Sequence, residues 1–298
     1  MPLYLGIDGG QSSTTALIGD ETGRILGEGH AGPCNHVGAS ERRAKFFSAI
    51  GDSIAQAAKA AGVPAVFDAV CAGFSGGAED KDALTRELIR ANRYLITHDA
   101  HIALSGATAG APGIIVIAGT GSIAFGRNAL DQTARCGGWG YIFGDEGGAF
   151  DIVRQALRAA LRQSEGWGPQ TQLLPALLEA TNASDANALL HLFYTSDYPR
   201  ERVASLAEVV DQAAQAGDPV AAAILDQAAH ALATLAATVR RQLFLDEEPV
   251  NVHRIGGVFS SLSALTRFQM LTELDGNTRV LPPLLDPAHG ALLEARRI

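Results

Sequence analysis

The carboxylate of Asp99 is the group in this chain best placed, by type and position, to accept a proton. It follows a short apolar segment, Tyr94–Thr97, that is predicted to be a β-strand. Carboxylates at strand ends are usually turn formers or helix caps. In open α/β sheets, however, ligands bind beyond the carboxyl ends of the strands, where such a group can activate an attacking hydroxyl. Asp99 is therefore a candidate general base, the role that a catalytic aspartate has in phosphoryl transfer.

Two histidines, His98 and His101, flank Asp99 and raise the question of a metal site. Neighbouring residues of a strand point to opposite faces. No third cluster of possible ligands is evident in the sequence. We therefore do not predict that these histidines bind a metal.

The chain contains two glycine-rich turns that also carry hydroxyl side chains. The first turn is residues 8–14, DGGQSST, and the second turn is residues 118–122, AGTGS. Glycine lets the backbone approach a ligand closely, so that N–H groups and hydroxyls can bind phosphate oxygens. Each turn alone is compatible with an ordinary hairpin, and the first is neither a Walker A loop nor a dinucleotide fingerprint. One such turn in each half predicts a nucleoside triphosphate held across a cleft.

Two further features would complete a nucleotide site. Asp8 ends the first predicted strand and can hold Mg²⁺ through water, since magnesium keeps much of its hydration shell. Late in the chain, Gly256 and Gly257 follow the predicted strand Val250–Ile255. A glycine turn there would let a flat base lie against the backbone, although this signal is weak by itself.

The glycine–aromatic segment, residues 135–148, contains six glycines interleaved with tryptophan, tyrosine and phenylalanine. It is predicted to be neither a helix nor an ordinary strand, but a loop shaped for close approach of a ligand. Its aromatic rings can pack in a core or stack on the apolar face of a sugar. Asp145 and Glu146 can bind sugar hydroxyls, or can begin the helix predicted from Ala149, where the helix dipole favours negative charge.

Short apolar segments between glycine turns predict the elements that position these residues. The first half opens with three strands joined by tight turns and continues with helices and further strands. The predicted strands are Leu3–Asp8, Thr14–Ile18, Ile25–Gly29, Val66–Ala72 and Tyr94–Thr97, and the predicted helices are 40–61 and 80–91. The second half restarts with the strands Gly113–Ala118 and Ile123–Arg127 and is mostly helical from 149 to 245.

Both halves present an apolar strand, a Gly/Ser/Thr turn and a second strand, which suggests a duplicated fold. We predict an N-terminal lobe over residues 1–110, which binds sugar and phosphate and is completed by the terminal helix 288–298. A C-terminal lobe over 111–287 would bind the nucleotide and would also carry the glycine–aromatic segment.

Composition narrows the functional classes. The net charge of −9 argues against binding to nucleic acid or an anionic membrane, which would need a basic face. Three scattered cysteines indicate neither a disulfide framework nor a zinc site. The N-terminus does not resemble a signal peptide. No apolar run approaches the ~18 residues of a membrane span, and the Ala-rich stretch 227–239 is predicted to be a buried or half-buried helix. We expect a cytoplasmic protein.

Taken in order and spacing, these motifs resemble the BadF/BadG/BcrA/BcrD-type ATPases, and within them the N-acetylglucosamine and glucosamine kinases. The resemblance covers nearly the whole chain. It rests on GIDGGQSST at 6–14, Asn35-His36, FSGG at 74–77, THDAH around Asp99, AGTGS, CGGWG…GDEGG at 136–148 and the late IGG. It implies an α/β fold of two ribonuclease-H-like (actin-like ATPase) lobes that close on a sugar and on ATP with Mg²⁺. A homodimer is suggested by this resemblance alone.

The implied reaction is ATP-dependent phosphorylation of an amino sugar, most similar to that of N-acetylglucosamine at its 6-hydroxyl, with Asp99 as the base. The implied sugar contacts are Asn35, Ser75, Gly76, Gly138, Trp139, Gly140 and Asp145. The implied ATP contacts are Gly9, Gly10, Ser12, Ser13, Gly119, Thr120, Gly121, Gly256 and Gly257, with Asp8 near magnesium. Gln11-Ser12 departs from the Gly-Thr of several members, which leaves the detail of the first turn open.

Three alternatives stay open. A glucosamine kinase would use the same motifs, because an acetyl pocket is made by shape. A non-catalytic sugar-sensing regulator is disfavoured by Asp99 and both turns, and no helix-turn-helix extension precedes the first strand. A dehydratase-activating ATPase would need cysteines for a bridging iron–sulphur cluster, whereas Cys34, Cys71 and Cys136 are scattered.

Overall fold

The computed structural model of the chain describes residues 1–34, 42–76, 80–196 and 198–298. The chain forms two compact units. Unit 1 comprises Met1–Gly113 together with Pro282–Ile298, and unit 2 comprises Ile114–Leu281. Unit 2 is therefore inserted into unit 1, which is completed by the C-terminal segment.

The return of the chain to unit 1 comes earlier than the sequence analysis places it. The predicted second lobe extends to residue 287, whereas the compact units divide before Pro282. Two backbone hydrogen bonds account for this difference. The N–H groups of Leu284 and Leu285 donate to the carbonyl oxygens of Ala107 and Gly106 at 3.1 Å each, so this segment already packs on unit 1.

Unit 1 contains a five-stranded mixed sheet with the order β3-β2-β1-β4-β5. Its strands are β1 (Leu3–Gly9), β2 (Thr14–Asp20), β3 (Ile25–Ala31), β4 (Val66–Phe74) and β5 (Arg90–His98). The first three strands pair antiparallel, whereas β1, β4 and β5 are parallel. The carboxyl ends of these three parallel strands therefore lie at one edge, where α/β sheets bind ligands.

Unit 2 repeats this topology. Its strands are β6 (Gly113–Ala118), β7 (Ser122–Arg127), β8 (Thr133–Gly137), β9 (Val250–Ile255) and β10 (Thr278–Leu281). The order of this sheet is β10-β9-β6-β7-β8. Read from the β8 edge, with β6 counted as the first strand of the unit, it becomes 3-2-1-4-5, which is the order in unit 1. The duplicated α/β fold with two ribonuclease-H-like units, predicted from the sequence, is thereby confirmed.

Helices cover the sheets of both units. In unit 1 they are α1 (Arg42–Ala61), α2 (Asp82–Leu88), α3 (Asp99–Ala107) and α11 (Pro287–Arg297). In unit 2 they are α4 (Ala149–Ser164), α5 (Leu173–Thr181), α6 (Ala186–Phe193), α7 (Arg200–Ser205), α8 (Ala207–Gln215), α9 (Pro219–Leu243) and α10 (Leu262–Thr272), with a short 3₁₀ helix at Gly257–Ser260.

One helix in the described part of the chain, α9, is long and apolar enough to cross a membrane by length and composition. Its side chains Ile224, Leu225, Leu232 and Val239 belong to the hydrophobic core of unit 2. The core helix of a globular unit needs the same apolar composition. The apolarity of α9 is therefore accounted for by packing within unit 2.

Three strand assignments differ from the sequence analysis. The helix predicted to reach residue 91 ends at Leu88, and β5 begins at Arg90, because it pairs in parallel with β4 from Val66 onward. The Tyr94 hydroxyl donates to the carbonyl oxygen of Ile89 at 2.6 Å and fixes this change of direction. Strands β8 and β10 were not predicted. Both have exposed or polar residues at alternate positions and lie at the two edges of the unit 2 sheet, so they lack the apolar signal of central strands.

Candidate functional site

The edge of unit 1 that carries the predicted base is assembled by strand register. Gly9 of β1 pairs with Phe74 of β4, and Phe74 pairs with His98 of β5. The residues that follow these positions, among them Ser75 and Asp99, leave the sheet side by side. The parallel sheet therefore brings Ser75 and Asp99 together, although they are 24 residues apart in the sequence.

Asp99 is the first residue of α3 and is half-buried. Its Oδ2 accepts a hydrogen bond from the Ser75 hydroxyl at 2.8 Å, and its Oδ1 accepts one from the Ala100 N–H at 2.8 Å. Each carboxylate oxygen has a second lone pair. The group is held in one orientation and can still accept the proton of a substrate hydroxyl.

The histidines beside Asp99 have a structural use. The Nδ1 atom of His98 accepts a hydrogen bond from the N–H of His101 at 3.2 Å and so caps α3. The cap satisfies one of the N–H groups that a helix leaves without an intrahelical partner. Among the described residues, no group of three or more His, Cys, Asp or Glu side chains is arranged to hold a metal ion.

Asp8 lies at the end of β1 in an environment that disfavours its charged form. Burial, followed by the negative charges of Asp99 and Asp286, raises the pKa of Asp8 to about 6. The charges of two other carboxylates therefore act on Asp8 at this edge. A cation bound here would relieve that repulsion.

The sequence analysis did not single out Asp286. Its carboxylate caps α11 by accepting the N–H of His289 at 2.9 Å, and Pro287 follows it at the first helical position. An Asp-Pro pair is a sequence signal for a helix start. This signal predicts that Asp286 caps a helix, but only the fold shows that the start of this helix lies near Asp8.

The first turn is closed by a backbone hydrogen bond and leaves its two serines exposed. The Gly10 N–H donates to the carbonyl oxygen of Ser13 at 2.9 Å. Ser12 and Ser13 are exposed, so their hydroxyls are accessible to a ligand. Gly76, a predicted sugar contact, is also exposed and has a φ of 78°. Asn35, the other predicted sugar contact near this turn, lies outside the described residues.

The second turn is held by the start of α4. The Ala149 N–H donates to the carbonyl oxygen of Gly119 at 2.8 Å, and the Phe150 N–H donates to that of Thr120 at 3.1 Å. The Ser122 hydroxyl donates to the carbonyl oxygen of Glu146 at 2.6 Å. These bonds leave the Thr120 side chain half-buried, and its hydroxyl has no hydrogen-bond partner in the described part of the chain.

The late glycine pair lies against the second turn because β9 runs parallel to β6, with Ile255 beside Ile117. Gly256 has a φ of 111°. A Cβ atom there would lie 2.4 Å from the carbonyl oxygen of Ala118 and 2.9 Å from the nitrogen of Gly119. Only glycine fits this position. The structure thus brings together the two unit 2 motifs that the sequence analysis assigned to ATP.

The glycine–aromatic segment joins the same assembly. Its first residues, Arg135–Gly137, belong to β8, so the prediction that the whole segment avoids a strand is wrong there. The reason is that these residues pair with the edge of β7. The Gly138 N–H then donates to the carbonyl oxygen of Ser122 at 2.9 Å. Trp139 is 67% exposed, and the guanidinium group of Arg135 lies over one face of its ring.

Asp145 is buried with a φ of 64°, and its side chain points at the second turn. Its Oδ1 accepts the N–H of Ser122 at 3.4 Å. A Cβ atom on Gly121 would lie 2.4 Å from this carboxylate. The geometry gives Asp145 a role in shaping the second turn; its predicted contact with the sugar stays a prediction.

A cavity of about 580 Å³ opens beside the second turn within unit 2. This volume is in the range of small-molecule sites. Its acidic side chains come from α7 and α8 and were not singled out from the sequence, where they carry no motif. The lining includes Thr120, Glu201, Glu208, Asp211, Gly257 and Ser261.

Comparison with known proteins gives one family. The model of the BadF/BadG/BcrA/BcrD ATPase family matches residues 5–295. An N-acetylmuramic acid/N-acetylglucosamine kinase of Clostridium acetobutylicum is 32% identical, with 99% of each chain covered. An N-acetyl-D-glucosamine kinase of Dictyostelium discoideum is 30% identical, with 98% of this chain and 97% of that protein covered. A Chromobacterium violaceum crystal structure, provisionally described as an N-acetylglucosamine kinase, is 26% identical with a TM-score of 0.78 and 98% coverage of both chains.

Proposed function

Because the chain belongs to the BadF/BadG/BcrA/BcrD ATPase family, we propose that it is an ATP-dependent amino sugar kinase that phosphorylates N-acetylglucosamine at the 6-hydroxyl. The observation that carries this proposal is the carboxylate of Asp99, oriented by Ser75 at the carboxyl edge of a parallel sheet. The named relatives support the choice of an amino sugar.

In the proposed reaction, Asp99 accepts the proton of the sugar 6-hydroxyl as the oxygen of that hydroxyl bonds to the γ-phosphorus of ATP. The bond from this phosphorus to the oxygen bridging to the β-phosphate breaks, and its electron pair leaves with ADP. The hydrogen bond from Ser75 fixes the base before the substrate arrives. Pre-organised geometry of this kind supplies much of the rate in phosphoryl transfer.

For ATP, the proposal assigns phosphate contacts to the first and second turns and the nucleoside to the cavity in unit 2. The hydroxyl of Thr120 supports this assignment, because it is half-buried, lines the cavity and has no protein partner among the described residues. Carboxylates line the part of the cavity formed by α7 and α8. They would repel phosphates but accept hydrogen bonds from a nucleoside, which fixes the direction in which ATP enters.

Asp8 fits the requirements of Mg²⁺, which enters with ATP. It offers carboxylate oxygens, and the neighbouring charges of Asp99 and Asp286 favour a cation. The described residues provide no cluster of three or more ligands, so most of the coordination sphere would come from water and phosphate oxygens. Bound there, the ion would neutralise charge on the transferred phosphoryl group.

For the sugar, the proposal keeps the predicted contacts Asn35, Ser75, Gly76, Gly138, Trp139, Gly140 and Asp145. The exposure of Trp139 supports stacking of the apolar face of a pyranose on the ring face that Arg135 does not cover. A cytoplasmic location and a homodimer are also part of the proposal.

One observation favours N-acetylmuramic acid as a second substrate. The guanidinium carbon of Arg135 lies 4.7 Å from the centre of the Trp139 ring. In the described part of the chain this arginine has no carboxylate partner. N-acetylmuramic acid differs from N-acetylglucosamine by a carboxylate-bearing ether, and arginine binds carboxylates in a bidentate manner.

The test is a coupled ATP-consumption assay with N-acetylglucosamine, glucosamine, N-acetylmuramic acid and glucose as acceptors. We expect the highest kcat/KM with an N-acetylated amino sugar and formation of its 6-phosphate, identified by mass spectrometry and NMR. A preference for glucosamine would select the alternative kinase. Binding of sugar without ATP consumption would contradict the proposal and favour a sugar-sensing regulator.

A further inference from the structure

A buried lysine lies beside the catalytic edge of unit 1. Lys81 is 8% exposed. Its ammonium nitrogen lies 3.4 Å from the carbonyl oxygen of Ser75 and 3.3 Å from the Oδ1 atom of Asp80. Burying an ammonium group is costly unless the group is well paired. The Asp80 side chain is 65% exposed, so this ion pair is screened by water.

The position of Lys81 is fixed by the start of α2. Its carbonyl oxygen accepts the N–H of Thr85 at 2.9 Å and the hydroxyl of Thr85 at 2.7 Å. Thr85 is fully buried. The ammonium nitrogen lies 5.8 Å from the centre of the Phe74 ring, a favourable contact for a cation. The start of α2 and the Phe74 ring thus fix the position of the Lys81 ammonium group beside the end of β4.

Ser75 connects this lysine to the base. Its carbonyl oxygen faces Lys81, its N–H donates to the carbonyl oxygen of Gly9 at 3.2 Å, and its hydroxyl donates to Asp99 at 2.8 Å. Three polar groups of one residue therefore contact the lysine, the first turn and the carboxylate. A displacement of the whole Ser75 residue would therefore disturb all three contacts.

We propose that Lys81 is a positioning residue for phosphoryl transfer. Its ammonium group holds the Ser75 peptide in the orientation in which the serine hydroxyl aligns Asp99. This inference rests on the proposed function, and in it Lys81 acts through Ser75 and touches neither ATP nor sugar. Small displacements of a catalytic group reduce turnover more than they reduce substrate binding.

The test is a double-mutant cycle on kcat, with N-acetylglucosamine and ATP as substrates. Lys81→Met keeps the length and apolar stem of the side chain and removes the charge. We expect it to lower kcat about 10-fold while both KM values stay within about threefold. Ser75→Ala should also lower kcat. The double variant should be no slower than Ser75→Ala, because both changes act through one hydrogen bond.

Two variants separate positioning from general damage. Lys81→Arg should recover most of the lost kcat, since a guanidinium group can also donate to the Ser75 carbonyl. Asp80→Asn removes the ion pair and keeps the lysine, so its kcat should stay within about twofold of wild type. If Lys81→Met does not fold, as judged by circular dichroism, Lys81→Gln and Thr85→Val enter the same cycle.

A Lys81→Met variant with wild-type kcat, or losses that multiply in the double variant, would overturn the inference while leaving the proposed function intact. Inactivity of the wild-type protein toward every amino sugar would refute the proposed function, and this inference with it.

Discussion

The first and second turns occupy equivalent places in two sheets of the same strand order, but they are held differently. Around the second turn, α4 donates two backbone hydrogen bonds, Ser122 bonds to Glu146, and Gly256 packs against the backbone. The first turn is closed by a backbone bond between Gly10 and Ser13, and the N–H groups of Ser75 and Cys34 donate to the carbonyl oxygens of Gly9 and Gly10. Its two serines, however, are exposed. Its surroundings instead concentrate carboxylates and raise the pKa of Asp8.

This difference suggests a division of labour. The second turn is pre-organised for hydrogen bonding, so little ordering is needed when phosphates bind there. In the proposed reaction, the edge that carries the first turn contributes charge and the proton acceptor, so we expect its conformation to affect the chemical step more than the affinity for ATP. Substitutions in the two units should therefore separate effects on kcat from effects on the KM for ATP.

The largest effect is expected at Asp99. Asp99→Asn retains the shape of the side chain but removes the proton acceptor, so kcat should fall by about 10²–10⁴-fold. Binding of N-acetylglucosamine, measured by calorimetry, should be largely retained. Turnover close to that of wild type would contradict the proposed role of Asp99 as the general base.

The next effect is on the stability of unit 2. Gly256→Ala places a Cβ atom against the backbone of Ala118 at a φ that L-residues rarely adopt, which should lower the free energy of unfolding by about 2–3 kcal/mol. Gly257→Ala is the matched control, because no atom lies within 4 Å of its Cβ position. Thermal unfolding distinguishes the two variants. Equal melting temperatures would contradict the close packing around the second turn.

Asp8→Asn should stabilise the folded protein at neutral pH. The folded pKa of Asp8, about 6, exceeds its ordinary value of 3.8. Asp8 therefore contributes stability below the ordinary value that is lost as the pH rises through 6. The advantage of the variant should grow between pH 4 and 6 and level off at about 1–2 kcal/mol, below the ~3 kcal/mol set by the full shift.

The measurement for Asp8→Asn is chemical denaturation at several pH values. Asp20→Asn serves as a contrast, since hydrogen bonding, chiefly from the Thr22 side chain, lowers the pKa of that carboxyl, so its replacement should not stabilise at neutral pH. An Asp8→Asn advantage that is independent of pH would show that charge is not its cause.

The smallest expected effects are on the KM for ATP, and they compare the two turns directly. Thr120→Val should raise the KM for ATP about 10-fold, because the half-buried Thr120 hydroxyl lies on a turn whose backbone is already held by hydrogen bonds from α4. Ser12→Ala should raise it only about threefold, because the exposed hydroxyl must be ordered when ATP binds. The reverse order in steady-state kinetics would contradict the proposed difference between the turns.

Much of this arrangement could be predicted from local sequence. Apolar segments followed by glycine predict the central strands of both sheets. The order and spacing of the motifs identify the family. The polar start of β5 at Arg90 and the edge strands β8 and β10 could not be predicted, because parallel pairing and edge position override weak local preferences.

The candidate site also contains residues that the sequence marks and residues that it does not. Asp99 and both turns stand out in sequence because glycine and strand ends mark them. Asp286 and Lys81 do not, because each belongs to an ordinary helix start. Their importance comes from helix packing that brings them beside Asp8 and Ser75. Long-range proximity of this kind leaves no spacing signal in a single sequence.

The insertion of unit 2 into unit 1 has a consequence for synthesis on the ribosome. Unit 2 is complete at Leu281, whereas unit 1 lacks Pro282–Ile298 until that later segment has been synthesised. That last segment places Glu294 in the interior of unit 1, where the Ser105 hydroxyl donates to it, and packs Leu292 against Gly6. The unit whose synthesis begins first must therefore finish folding after unit 2, because unit 1, which bears Asp99, acquires its final form only when Pro282–Ile298 has emerged from the ribosome.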